Sequence, residues 1–173
     1  LNHVNPKSAV LSLMYEAWEL RKEDIDIEVC QHREIRLCGV NESDPDFPIF
    51  SFIGPLAAKM VLLAGYEIME NNIIIWSDDE FGHEISNFFR KMGAKNVVLT
   101  KDRDVLLAHL QGTDIIFFAS YNEALPLISN GSGGVDCVLS LSELKEANRY
   151  PGVIHLYGKI KPVDLIDAGF TVF

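Results

Sequence analysis

From Asn72 onward the chain repeats one pattern, and that pattern limits its architecture more than any other feature. Short apolar runs, Ile73–Trp76, Val97–Leu99, Ile115–Ala119, Val135–Leu139 and Val153–Leu156, recur about every 20 residues with helix-like segments between them, and Val172–Phe173 begins a sixth. Runs apolar at consecutive positions suit strands buried on both faces, which is the condition of parallel strands covered by helices above and below. The helix after the first run shows the pattern best. Phe81, Ile85, Phe88, Phe89 and Met92 form one apolar face, Glu84, Asn87, Arg90 and Lys91 turn to water, and Gly93 closes it. Strand–helix alternation from residue 72 to residue 173 predicts an α/β fold, a doubly wound, mostly parallel Rossmann-like sheet.

Ahead of this region the sequence predicts a small N-terminal α/β lobe, residues 1–54, and a linking helix, residues 55–71; the Rossmann-like domain is residues 72–173. Pro6–Arg21 has helix-like apolar spacing with Ser8 as N-cap, and Ile25, Ile27 and Val29 alternate with polar residues as a strand does. Ile35, Leu37 and Gly39 read as a second strand, joined to the first by a hairpin turn at Gln31-His32-Arg33. Asn41–Pro48 is a loop whose acids lack calcium-site spacing. Pro55–Glu70 is almost wholly apolar, a helix expected to be covered on most sides. The chain begins at Leu1 and ends on Thr171-Val172-Phe173, a strand cut short, so a piece of a longer protein is expected.

Charge and cysteines narrow the function classes. A net charge of −10 opposes attraction to phosphate backbones and anionic lipid, so neither nucleic acid nor membrane is an expected partner. Cys30, Cys38 and Cys137 are too few for a disulfide framework and have no CxxC spacing; reduced, buried thiols in a cytoplasmic protein are expected, with no metal site.

In a parallel sheet ligands bind at the carboxyl ends of the strands, so the residues just after each strand are the candidates. Ser77-Asp78-Asp79-Glu80, Ser120-Tyr121-Asn122-Glu123 and Ser140-Leu141-Ser142-Glu143 are all Ser-x-x-Glu, the capping-box spacing. Capped in this way, the helix after residue 77 has its free amides occupied, and Asp78 and Asp79 repel phosphate. Carboxylates suit ribose hydroxyls, ammonium or sulfonium groups, or a divalent ion carrying phosphate with it, and plain capping and solvation also account for them. The cofactor-binding candidates are Ser77, Asp78, Asp79, Gly82, Thr100, Ser120 and Tyr121, and His155 after the fifth strand is the candidate general acid or base. His109 reads as a packed histidine on the apolar side of its helix.

Residues Gly54–Ile128 resemble the cofactor-binding half of the D-2-hydroxyacid dehydrogenase family (formate/glycerate dehydrogenase-like). The similarity lies in the leading helix Pro55–Glu70, the strand Ile73–Trp76, the Phe81-Gly82-x-Glu84-Ile85 helix start, the Gly93-Ala94-x-x-Val97 exit and the strand Thr113–Ala119. Ser77 and Asp79 stand where that family has the first two glycines of G-x-G-x-x-G, Thr100-Lys101 stand where it has an acid, and its catalytic arginine, glutamate and histidine have no counterpart here. Lys101 and Arg103 suit a 2′-phosphate, and read equally as exposed charges at a helix start. The resemblance implies an adenosine-type cofactor, NAD(P)-like, or a related small metabolite, bound by a degenerate Rossmann-like domain. Two alternatives stand beside it: a group-transfer enzyme using S-adenosylmethionine, and a non-catalytic scaffold in which the Pro55–Glu70 helix buries against a second copy in a homo-oligomer.

Overall fold

The structure, a computed structural model, describes residues 9–16, 24–41, 44, 46, 48–120, 125–147 and 150–173. Contacts divide the chain into two compact units, Leu1–Ile49 and Phe50–Phe173. Among the described residues no helix is long and apolar enough to cross a membrane.

In the first unit, β1 (Val10–Glu16), α1 (Ile27–His32) and β2 (Arg36–Val40) follow one another, and β1 and β2 pair in parallel. This corrects two expectations. The helix predicted over Pro6–Arg21 is a strand at Val10–Glu16, and apart from Ala9 the rest of that range lies outside the described residues. Over so short a run the two periods coincide: Leu11 and Leu13 are half-buried and Ser12 is exposed, which is alternation. The predicted strand and hairpin at residues 25–33 are a helix instead. Asp26 caps α1, its carboxylate accepting from the Val29 amide at 3.0 Å, and Glu34 takes a left-handed φ of 54° at the exit. Ile25, Cys30 and Ile35 form this unit's core.

A 3-10 turn, Ile49–Phe52, begins at the last residue of the first unit and runs into α2 (Ile53–Leu63) of the second. There follow β3 (Asn72–Trp76), α3 (Glu80–Lys91), β4 (Asn96–Thr100), α4 (Arg103–Leu110) and β5 (Ile115–Phe118). Two-residue strands β6 (Ile128–Ser129) and β7 (Leu139–Ser140), then α5 (Leu141–Glu146), β8 (Gly152–His155) and α6 (Pro162–Asp167), complete it. The main sheet is parallel throughout, in the order β4-β3-β5-β8, and β6 pairs with β7 apart from it. One face packs on α2 and α3 through Ala57, Val61, Ile85 and Phe89; the other packs on α4, α5 and α6 through Leu106, Leu144 and Leu165. The Rossmann-like α/β architecture expected from the strand spacing is therefore present.

Three expectations change here. α2 ends at Leu63 because Gly65, at φ 85°, lets the Tyr66 amide reach the Val61 carbonyl and the Gly65 amide the Leu62 carbonyl, a Schellman closure. Its outer face is open and not covered: Phe52, Leu56, Leu62 and Leu63 are 44–69% exposed. The strand predicted at Val135–Leu139 is mostly a turn. Asp136 folds back to accept from the Ser132 amide at 2.9 Å, which turns Val135 out to 72% exposure; Cys137 makes an isolated bridge to Gly133, and the strand β7 begins at Leu139.

Candidate functional site

The chain runs from β3 outward to β4 and then returns past β3 to β5, so the winding reverses between β3 and β5. In open α/β sheets the crevice outside the carboxyl ends at such a point receives ligands. Backbone pairing continues past the strands there: the Ser77 amide donates to the Thr100 carbonyl at 3.1 Å, Ala119 to Trp76 at 3.1 Å and Leu156 to Phe118 at 2.9 Å. Thr100, Ser77, Ser120 and His155 are thereby set along one sheet edge. Ser77, Thr100 and Ser120 are buried, Asp79 and His155 are partly buried, and Asp78 is exposed.

The turn after β3 differs from the expected capping box. The N-cap of α3 is Asp79, whose Oδ1 accepts from the Gly82 amide at 3.2 Å and from the Ser77 hydroxyl at 2.6 Å; the Ser77 hydroxyl in turn accepts from the Asp79 amide at 3.3 Å. Aspartate caps as well as serine does, and here it sits two residues closer to the helix. Gly82 has a steric role. A Cβ at that position would lie 2.5 Å from the Ser77 Cβ and 2.8 Å from the Leu99 Cδ1, so only glycine lets α3 approach the sheet. In a G-x-G-x-x-G turn the third glycine serves helix–strand packing, and Gly82 serves the same purpose here.

Lys101, read from sequence only as a charge suited to a 2′-phosphate or to a helix start, enters the cleft. Its ammonium crosses the end of β3, 5.6 Å from the Trp76 ring centroid, and donates to the Ser120 hydroxyl at 2.6 Å. The signal was its position directly after β4, but the contact joins strands that are not neighbours. The Thr100 hydroxyl accepts from the Asp102 amide at 2.9 Å and so organises the start of α4. The His155 ring bonds the Gly158 carbonyl through Nε2 at 2.8 Å; a carbonyl only accepts, so Nε2 carries the proton and Nδ1 is left as the basic nitrogen of the neutral ring. Phe81 meets Tyr157 edge to face at 4.9 Å and Phe50 at 5.3 Å, an aromatic wall between the turns after β3 and β8. Tyr121 lies outside the described residues, as do Asn122 and Glu123, so the second predicted capping box falls there in part.

The third box forms as expected. The Ser140 hydroxyl accepts from the Glu143 amide at 3.2 Å, and the Glu143 carboxylate accepts from the Ser140 amide at 2.8 Å. Arg103 pairs with Glu143 and donates through Nε to the Val138 carbonyl at 3.1 Å. Burial pushes the Glu143 carboxyl up, but the Ser140 amide and hydroxyl and the Arg103 guanidinium outweigh it and hold the group below its ordinary value. No three His, Cys, Asp or Glu side chains among the described residues are grouped to hold a metal ion. His109, expected to be packed, is exposed and lines a cleft at the opposite, amino edge of the sheet.

Fold and edge together define a Rossmann-like α/β domain in which the turn after β3 is capped by its own Asp79. Among solved structures, a dipicolinate synthase subunit from Bacillus halodurans superposes with a TM-score of 0.59 at 14% identity, over 97% of this chain and 58% of that one. Dipicolinate synthase from Bacillus subtilis gives 0.58 at 14% identity, over 97% and 57%. The likeness is one of fold, and the chain spans under three fifths of the length of either neighbour. No family model matches the chain, and no curated protein does.

Proposed function

We propose that this chain is a small-molecule-binding domain that holds an adenosine-type ligand at the carboxyl edge of its main sheet, a nucleoside-containing metabolite in preference to an NAD(P)-like dinucleotide. The observation that carries the reading is the convergence of Ser77, Thr100, Lys101, Ser120 and His155 at the ends of successive parallel strands around the winding reversal. The similarity of Gly54–Ile128 to the cofactor-binding half of D-2-hydroxyacid dehydrogenases supports the same ligand class.

The Asp79 carboxylate selects within that class. It already caps α3, so a pyrophosphate would have to displace it and would meet its charge. A nucleoside whose hydroxyls accept hydrogen bonds from, or donate them to, side chains, or one carrying a positive sulfonium as S-adenosylmethionine does, fits better than a dinucleotide. Titration calorimetry with S-adenosylmethionine, NAD and NADP tests this. S-adenosylmethionine binds more tightly than either dinucleotide, and Asp79→Gly shifts the preference toward NAD. Tight NAD binding by the wild type that Asp79→Gly leaves unimproved would overturn the electrostatic argument, and no binding of any of the three would overturn the ligand class.

A specific observation also favours assembly. Phe52, Leu56 and Leu63 form an exposed apolar stripe along α2, whose residues include no acid although the chain carries a net charge of −10. Under this second reading two copies bury the stripe against each other. Leu56→Lys then turns a dimer into a monomer in sedimentation equilibrium; a wild type that is already monomeric sinks it.

A further inference from the structure

The amino edge of the main sheet carries a cleft of about 280 Å³ between the starts of β3 and β4 and the last turn of α4. Asn72 and Asn96 are register partners on these parallel strands, so both side chains leave the sheet on the same face. Ile74 and Val98, two residues on, share that face; Ile74 is packed into the core at 1% exposure, so the half-buried Val98 supplies the aliphatic floor. His109 and Thr113 close the side formed by α4.

The polar groups in the cleft are not all available. The Thr113 hydroxyl is committed to the His109 carbonyl at 2.8 Å. Asn72 is oriented by Asp114, whose Oδ2 accepts from the Asn72 amide at 2.9 Å and from its Nδ2 at 3.3 Å; the Asn72 Oδ1 and the second Nδ2 proton stay open. Asn96 makes no side-chain hydrogen bond among the described residues. Two adjacent carboxamides over an aliphatic floor, with no lysine or arginine in the lining, suit a flat molecule with neighbouring donor and acceptor groups and not a phosphate. Asparagine pairs with the donor–acceptor edge of a purine in this way.

We propose that this cleft is a second small-molecule site, about 16 Å from the carboxyl edge by strand length, for a planar nucleobase-type heterocycle. Its polar edge meets Asn72 and Asn96, and its ring face lies on Val98. The site is independent of the carboxyl-edge reading above.

The experiment is a ¹H–¹⁵N NMR titration of the full chain with adenine, with adenosine, and with indole as a flat molecule of similar size lacking an acceptor edge. Saturable shifts of the Asn72 and Asn96 side-chain amides with adenine, leaving Ser77, Ser120 and His155 unmoved, are expected. Adenosine binding at least as tightly as adenine assigns the base to a nucleoside; weaker binding assigns it to a free base. Asn96→Leu, at an exposed position, weakens adenine roughly tenfold. Shifts confined to the carboxyl edge, indole binding as well as adenine, an unchanged Asn96→Leu, or no saturable shift would each overturn the proposal. Because the two edges report separately in one spectrum, either site can fail without the other.

Discussion

Gly82 and Ser86, one turn apart on the buried side of α3, respond to alanine in opposite directions. At Gly82 the added methyl enters the contact with Ser77 and Leu99, where overpacking costs about 1–3 kcal/mol and outweighs a gain in helix propensity of about 1 kcal/mol. Gly82→Ala is expected to lower the urea midpoint. Ser86 is buried and its hydroxyl has no partner among the described residues, so Ser86→Ala removes an unsatisfied group and leaves stability equal or higher by about 0.5–1 kcal/mol. A loss of stability in Ser86→Ala would reveal a partner for that hydroxyl. Gly82 was legible in the sequence because a single glycine after an acidic turn is conspicuous. The state of Ser86 was not, since a serine among apolar residues reads alike whether or not its hydroxyl is bonded.

Three Ser-x-x-Glu segments follow strands, yet their fates differ by element. At α5 the box closes, because Ser140 is followed by Leu141 and Ser142, neither of which offers a carboxylate. At α3 the second residue after the serine is Asp79, a competing cap, and the helix start moves with it. Local spacing alone does not decide between them; the side chain nearest the amides does. The α5 box also has a pH signature. The Glu143 carboxyl is held below its ordinary value, so its stabilising contribution is complete above the unfolded value of about 4.3 and is lost as pH falls through the lower folded one. Glu143→Gln is expected to flatten that part of the acid limb in urea unfolding measured from neutral pH downward. An acid limb identical to the wild type's would mean that the Arg103–Glu143 pair contributes nothing. The first unit was misread for the related reason that α1 and β1 are each too short for their apolar period to be unambiguous.

At the scale of the molecule, what the sequence made legible was the buried parallel strand. β3, β5 and β8 are apolar at nearly every position because both faces are covered, so a run of such residues announces its place in the middle of a sheet. The order β4-β3-β5-β8 and the reach of Lys101 across β3 were beyond it, since both depend on residues distant in sequence. Phe50–Phe173 holds both large cores, so a chain of residues 50–173 is expected to unfold in a single cooperative urea transition; a broad, non-cooperative change would show that it needs residues 1–49.

The position of β5 has a further consequence during synthesis. Ile115, Ile116, Phe117 and Phe118 are fully buried between β3 and β8, and β8 is made only after the long crossover through β6, β7 and α5. At translation rates of about 5–20 residues per second, one edge of a wholly apolar strand waits seconds for its neighbour. Such an edge is a template for pairing with another nascent copy. A chain stopped at Tyr150 keeps that edge permanently, and its expected fate on expression is the insoluble fraction, whereas the full chain closes the strand as soon as Gly152–His155 clears the ribosome.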